Sequence, residues 1–484
     1  MLPKILTKRL ARPLLICICC LAIFAGIFWA RSHVLHDARW LWAVAAIVVV
    51  SLRKHNLATL LLISILGFGV GWWRGGEFMY RIATNEHFYG QKVTIVGIAN
   101  DEAVYGKFYQ LEFTLKDAKV VAPAHALLVG GITIRGFGAP MVSRGDTVQV
   151  TGKLNPTLGN NVASMSFANL TVLEHDTSKL NELRRKFAAG MQSALPEPAA
   201  SFGLGLLIGQ RTTLPDDISE QLRHVGLTHI IAVSGYNLTV IVIACRRLLA
   251  KRSKYQATMT CLLLIGIFLL ITGSSPPIVR ASVISLLGIG AWYYGRNLRP
   301  LVLLLVGGVV TVLANPLYLW GNVSWYLSFL SFFGVLYIAP LVTKRWWKKK
   351  EPSILAGVLI ETICASIMVV PYVLYIFGQT STVSLPANLL VVPFIPLAML
   401  LSLAAGLAGM FLPLFAGWIA WPAATLLTYM LDAAAILARV PHAFIENIGF
   451  SWRAMAIGYA TIGVATAVLQ TKTRAILRAA NHLK

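Results

Sequence analysis

The stretch GLGLLIGQRTTLPDDISEQLRHVGLTHIIAVSGYN (203–237) is where a polar, glycine-rich segment runs without a linker into an apolar helix. That helix carries His229, Ser234, Gly235 and Asn237 in its first turns. In the middle of the stretch, Thr213 suits a helix cap, Pro215 a helix start, and Asp216 and Asp217 a first turn. Gly226 ends that short helix. Gly203, Gly205, Gly209 and Gly235 offer no side chain, which allows close helix contact or leaves room for a passing chain. Close packing is the commoner reason for such glycines.

Outward from this stretch the chain is unusually apolar. It is 57% hydrophobic and 13% charged over 484 residues. A soluble protein of that length carries about twice the charge. Many segments reach the ~20 apolar residues that cross a bilayer. The expected fold class is a polytopic α-helical membrane protein of about twelve transmembrane helices with one small extracytoplasmic β insert. Lys4, Lys8, Arg9 and Arg12 precede the first apolar run, but no small-residue cleavage site follows, so a retained first span is expected. Six cysteines lie in or beside apolar runs, and read as small hydrophobes.

The spans expected are 13–30, 40–52, 57–73, 229–245, 257–272, 277–294, 301–314, 323–342, 354–377, 385–408, 414–438 and 454–469. The net charge of +23 invites a nucleic-acid reading. Placing the N-terminus inside puts 22 of the 42 basic residues and one acid, Glu351, in cytoplasmic segments. The remainder is nearly neutral. The positive-inside rule therefore accounts for the basic composition, with both termini cytoplasmic.

Residues 75–178 read differently. VTIVGIA (93–99), FYQLEFTL (108–115), ALLVGGITI (126–134), DTVQVTGKL (146–154) and ANLTVLE (168–174) alternate with period two. Val93, Ile95 and Gly97 face one side of the first strand. Five short strands suit a small barrel of the OB type, with a small β-sandwich as the alternative. Seven basic and seven acidic residues balance between 91 and 178, so this is no electrostatic trap for a polyanion. DNA contact there would need base stacking on Tyr105, Phe108 or Tyr109. An amphipathic helix at 180–195, with Arg184, Arg185 and Lys186, is expected along the membrane surface. The domains expected are thus 1–74, a three-span region; 75–178, the OB-like domain; 179–228, interfacial helices; 229–471, the transmembrane domain; and 472–484, a basic tail.

Within the spans, Arg280, Glu361 and Asp432 are ionisable, and such residues mark a pathway or a helix contact. Asn388 lies in LPANLLVVP between Pro386 and Pro393, a pattern for a broken helix. AVSG (232–235) resembles the Gly-x-Ser-Gly of intramembrane serine proteases, but a nucleophile needs a base. His229 is five residues earlier, about 500° round a helix and off the Ser234 face. His442 and His482 lie outside the spans. No His-x-His-x-Asp-His cluster and no GxxxxGK[ST] loop occurs. An enzyme is not expected, nor a cofactor or metal.

GLGLLIGQR (203–211) followed by LRHVGLTHIIAVSGYN (222–237) closely resembles the signature of the ComEC family, the competence DNA-uptake channels of bacteria. In order, GSSPPIVRAS (273–282) is similar to the family's Gly…Arg-Ala element. NPLYLWGNVSWYLSFLSFFGV (315–335) is similar to its Leu-Ser-Phe span, here Leu327, Ser328 and Phe329. FGQTSTVSLPANLLVVP (377–393) is similar to its Gly-Gln…Ser…Ala-Asn-Leu…Pro element. The resemblance implies passage of single-stranded DNA across the bacterial inner membrane during natural transformation. It makes Arg211, His229, Ser234, Asn237, Arg280, Ser328, Gln379 and Asn388 candidates to line or shape the path. It also implies membrane lipids, a DNA receptor, a cytoplasmic helicase or other motor, and a separate nuclease as partners, and an oligomer is compatible with it. Asn237 stands where the family has His and cannot titrate. The C-terminal metallo-β-lactamase-like domain of many members is not expected here. A solute or lipid transporter, or an intramembrane hydrolase, on the same scaffold is the alternative reading.

Overall fold

The period-two segment folds as a sheet, and the apolar runs on either side fold as helices. The computed structural model describes residues 11–33, 57–105, 110–123, 125–138, 142–157, 159, 161–210, 214–231, 238, 242, 245–246, 248–249, 253–272, 276–296, 299–347 and 353–482. In chain order the elements are helices α1 (Arg12–Ala30) and α2 (Leu57–Ala83), then strands β1 (Lys92–Ala99), β2 (Val104–Tyr105), β3 (Leu111–Ala122), β4 (Ala126–Leu127), β5 (Ile132–Phe137), β6 (Thr147–Pro156) and β7 (Ala163–Glu174). Next come α3 (Lys179–Ala194), α4 (Ala199–Ile208), α5 (Asp216–His224), α6 (Thr228–Ile231), α7 (Lys254–Thr272), α8 (Pro276–Tyr293), α9 (Pro300–Ala314), α10 (Leu317–Gly321) and α11 (Val323–Phe333). A π-helical turn, Gly334–Ile338, joins α11 to α12 (Ala339–Trp347). The chain finishes with α13 (Ile354–Phe377), β8 (Thr380–Ser381), α14 (Ser384–Val391), α15 (Ile395–Phe411), α16 (Ala416–Ala438), β9 (Phe444–Ile445) and α17 (Trp452–His482).

Among the described residues, eight helical segments are long and apolar enough to cross a membrane, and three apolar helices are shorter. The protein is a multi-pass helical membrane protein with a small β region. The expected span 40–52 lies outside the described residues, as does most of 229–245, of which α6 is the beginning.

The chain forms two compact units: Met1–Glu182 with Gly273–Trp325, and Leu183–Thr272 with Tyr326–Lys484. In the first, α1 and α2 meet backbone to backbone. Gly67, Gly71 and Gly75 are spaced one turn apart on α2, and a Cβ on Gly71 would overlap the Ile23 carbonyl. Gly26 on α1 presses equally on Phe68. This is the small-residue seam that lets apolar helices associate without a hydrophobic driving force. Gly75 continues it, a Cβ there falling 2.5 Å from Ala30 Cβ. Arg74 on α2 donates to the carbonyls of Leu313 and Ala314 (2.8 and 3.2 Å), satisfying the end of α9.

The sheet of the same unit closes on itself. β1 pairs with β3 and β6, β6 with β7, β7 with β5, and β5 with β3. Only the β5–β7 joint is parallel. Val93, Ile95, Gly97 and Ala99 all point into the core, with Leu115, Ile132, Ile134, Val150 and Leu170. Asp146 ties the closure. Its fully buried carboxylate accepts from the backbone N–H of Ser143 (2.9 Å) and Asp176 (3.0 Å) and lies 3.0 Å from His175 Nδ1.

In the second unit, α4 is buried along Ala199–Leu206, and Gly203 packs against Met191, Ser402 and Leu427. The α3 helix does not lie free. Its Phe187 and Gly190 cross α15 at Gly406 and Gly409. The expected break after Asn388 is present: α14 stops, a 3-10 turn spans Val392–Phe394, and α15 resumes. Pro393, and Pro396 one residue into α15, cannot donate to the helical ladder.

Candidate functional site

Within the signature stretch, residues 216–229 form a helix and a structured turn. Asp216 and Asp217 occupy the first turn of α5, and Arg223 and His224 the last, so each charge matches the helix dipole. Gly226 closes the helix at φ 76°, a conformation that L side chains rarely adopt. Its N–H donates to Arg223 O (3.0 Å), and the N–H of Leu227 donates to Leu222 O (2.8 Å). Leu222 and Leu227 are both buried, completing a Schellman cap. His229 follows on α6, its Nδ1 3.0 Å from Gly226 O.

This turn is pressed onto the 377–393 element. A Cβ on Gly226 would fall 2.9 Å from Ser384 Cβ and 3.5 Å from Ser381 Cβ. Gln379 sits between the helix-ending Gly378 and β8. β8 pairs with β9, Thr380 opposite Ile445 and Ser381 opposite Phe444. Thr382 Oγ1 donates to His442 O (2.8 Å), and Ile448 N to Gly378 O (2.7 Å). The Phe444 ring stacks on His224 (4.9 Å between centroids) and lies under Arg223 (5.3 Å), which also reaches Glu446 at 3.7 Å. Two of the family-like elements, the described part of 222–237 and the 377–393 element, thus share one cap.

The segment Ala443–Glu446, which meets the 377–393 element, was not picked out by sequence reading. A signal existed: Asn447 stands in PHAFIENIG (441–449), and His442 and Asn447 both have positive φ (57° and 59°). Asn388 is 8% exposed on α14. Ser328 is one helical turn after Ser324 on α11. Arg280 is 1% exposed on α8 in the other unit, where its Nη2 donates to Ser324 O and Oγ (3.0 and 3.1 Å). In that position it shapes its surroundings and has almost no surface to offer a passenger. Tyr105 is exposed on β2. Arg211, Ser234, Asn237, Phe108 and Tyr109 lie outside the described residues. Asp432, on α16, is exposed and lines a cleft of about 530 Å³ with Leu390, Thr425, Thr428 and Tyr429.

Residues 206–472, which include the whole cap, match the competence protein family. The chain belongs to that family. Over 265 residues it is 24% identical to ComE operon protein 3 of Bacillus subtilis (strain 168), covering 53% of this chain and 33% of that protein. The match thus spans about a third of that relative's length, and agrees with the ComEC resemblance carried by the motifs. No solved structure matches. The β sheet lies before the matched region.

Proposed function

We propose that this competence-family protein is the bacterial inner-membrane channel that passes single-stranded DNA into the cytoplasm during natural transformation. The observation that carries the reading is the family match over 206–472, which contains both elements of the cap. The closed strand circuit suits an OB-type barrel on the outer side. The cap gathers three segments, 216–226, 378–384 and 440–448, that the charge count assigns to one side of the membrane, a further support for termini inside. In this reading the chain has no hydrolytic chemistry of its own. A DNA receptor, a cytoplasmic helicase or other motor, and a separate nuclease supply the remaining steps.

Labelled duplex DNA offered to a deletion strain tests the proposal. Uptake into the cytoplasm is lost in the deletion and restored by the full chain; undiminished uptake in the deletion rules out the channel. Gly226→Val is expected to fall well short of restoring uptake at equal membrane level. It forces a β-branched residue into the left-handed region, at about 1–2 kcal/mol, and presses on Ser384. Gly266→Ala, where a Cβ meets nothing within 4 Å, should restore it fully.

A further inference from the structure

Within the second unit, α12 and α17 border an open cleft of about 630 Å³. Arg345, Trp346, Ala465, Val468, Leu469 and Lys472 line it. Earlier along α17, Tyr459 and Ile462 pack against the core that holds Ile338 and Ala339. The cleft begins one turn further on. Ala465, Val468, Leu469 and Lys472 follow one another at helical spacing, so they form a single face of α17. That face changes character along its length. Three apolar side chains are followed by a cation, and Ala465 to Lys472 spans about 10 Å of helix.

The basic end of the cleft is also the end of both apolar segments, which run Val323–Trp347 and Trp452–Thr473. Trp346, largely exposed there, has the amphipathic ring that favours the headgroup level of a bilayer. No carboxylate lines the cleft. The sequence leaving α12, KRWWKKKE (344–351), carries five basic residues against one acid. The positive-inside rule asks for cations near such an end. It does not ask for two of them, from helices far apart in the chain, to line one cleft above an apolar wall. A phosphate group beside Arg345 and Lys472 meets both charges, and acyl chains below it cover Ala465, Val468 and Leu469. Basic pockets between membrane helices take anionic lipid headgroups for this reason. We propose that the cleft between α12 and α17 holds the head and upper acyl chains of an anionic phospholipid. Single-stranded DNA offers phosphates too, but has nothing to lay along the apolar wall. The site does not depend on the translocation reading.

Native mass spectrometry of the full chain, released from detergent with added phosphatidylglycerol or phosphatidylcholine of the same acyl chains, tests the proposal. The wild type is expected to retain phosphatidylglycerol in preference. Arg345→Gln and Lys472→Gln should each reduce that preference about fivefold. Lys344→Gln removes a neighbouring charge that does not line the cleft, and should leave the preference unchanged. Val468→Asn makes the wall polar and should lower retention of both lipids. Equal losses in the Lys344, Arg345 and Lys472 variants would reveal a diffuse basic field and overturn the site. A wild type that retains the two lipids alike also overturns it. A fluorescent oligothymidylate supplies the remaining arm. If it displaces phosphatidylglycerol, and its binding is lost in the Arg345 and Lys472 variants but kept in Val468→Asn, the cleft is a nucleic-acid site and the lipid proposal falls.

Discussion

Asp146→Ala should unfasten the β domain. The carboxylate is fully buried, receives the backbone N–H groups of Ser143 and Asp176 and lies beside the His175 ring, so it joins two stretches of chain. Alanine leaves those donors facing nothing, at about 1–3 kcal/mol for each that stays buried. The same residue's backbone O accepts from Ala99 N (2.9 Å), so the end of β1 depends on it as well. The expected result is faster hydrogen exchange at the β1, β6 and β7 amides of the full chain, with the helices unchanged. Asp146→Asn, which keeps one oxygen, should fall between. If the Ala99 amide is protected equally in all three proteins, Asp146 is not the fastener.

Gly409→Ala should be the most damaging single methyl group added to the second unit. A Cβ there runs into the Gly190 carbonyl, and a reciprocal one at Gly190 would lie 2.8 Å from Met410 N. Neither obstacle is a side chain that can turn aside, so the helices must separate. Overpacking of this kind costs about 1–3 kcal/mol or more. Gly406→Ala, three residues earlier in the same crossing, meets the Phe187 ring, which can swing, and should cost less. Gly417→Ala, in the first turn of α16, meets nothing within 4 Å and should be close to neutral. Thermal unfolding of the three variants in detergent gives the order; a Gly409 variant as stable as the Gly417 variant would show that α3 and α15 are not in contact.

The strands were legible wherever the alternation keeps its phase. Residues 93–99 alternate without interruption and form a strand. FYQLEFTL was expected to stop at Leu115, yet β3 continues to Ala122, because Asp117 adopts φ 50° and moves the buried set from odd to even positions. The last strand was expected from 168 but starts at Ala163; Phe167, at φ 55°, is again a bulge at which the phase slips. ALLVGGITI splits at Gly130, φ 92°, into β4 and β5. A period-two reading takes each slip for an end. The long helices were legible from length and apolarity alone, and the Pro393 break from the missing N–H. The cap was legible only as two separate motifs. Its joining depends on the fit of Gly226 against Ser384 and of Ser381 against Phe444, contacts made across long stretches of chain whose partners no local pattern names.

The glycine seams also say where a passenger cannot go. Where Gly71 touches the Ile23 backbone, and where Gly409 touches that of Gly190, no gap is left for so much as a methyl group. A hydrated polyanion therefore cannot thread between α1 and α2, or between α3 and α15, without prising apart contacts that have no side chains to yield. Each seam is a closed joint within its own unit, shut to any passenger.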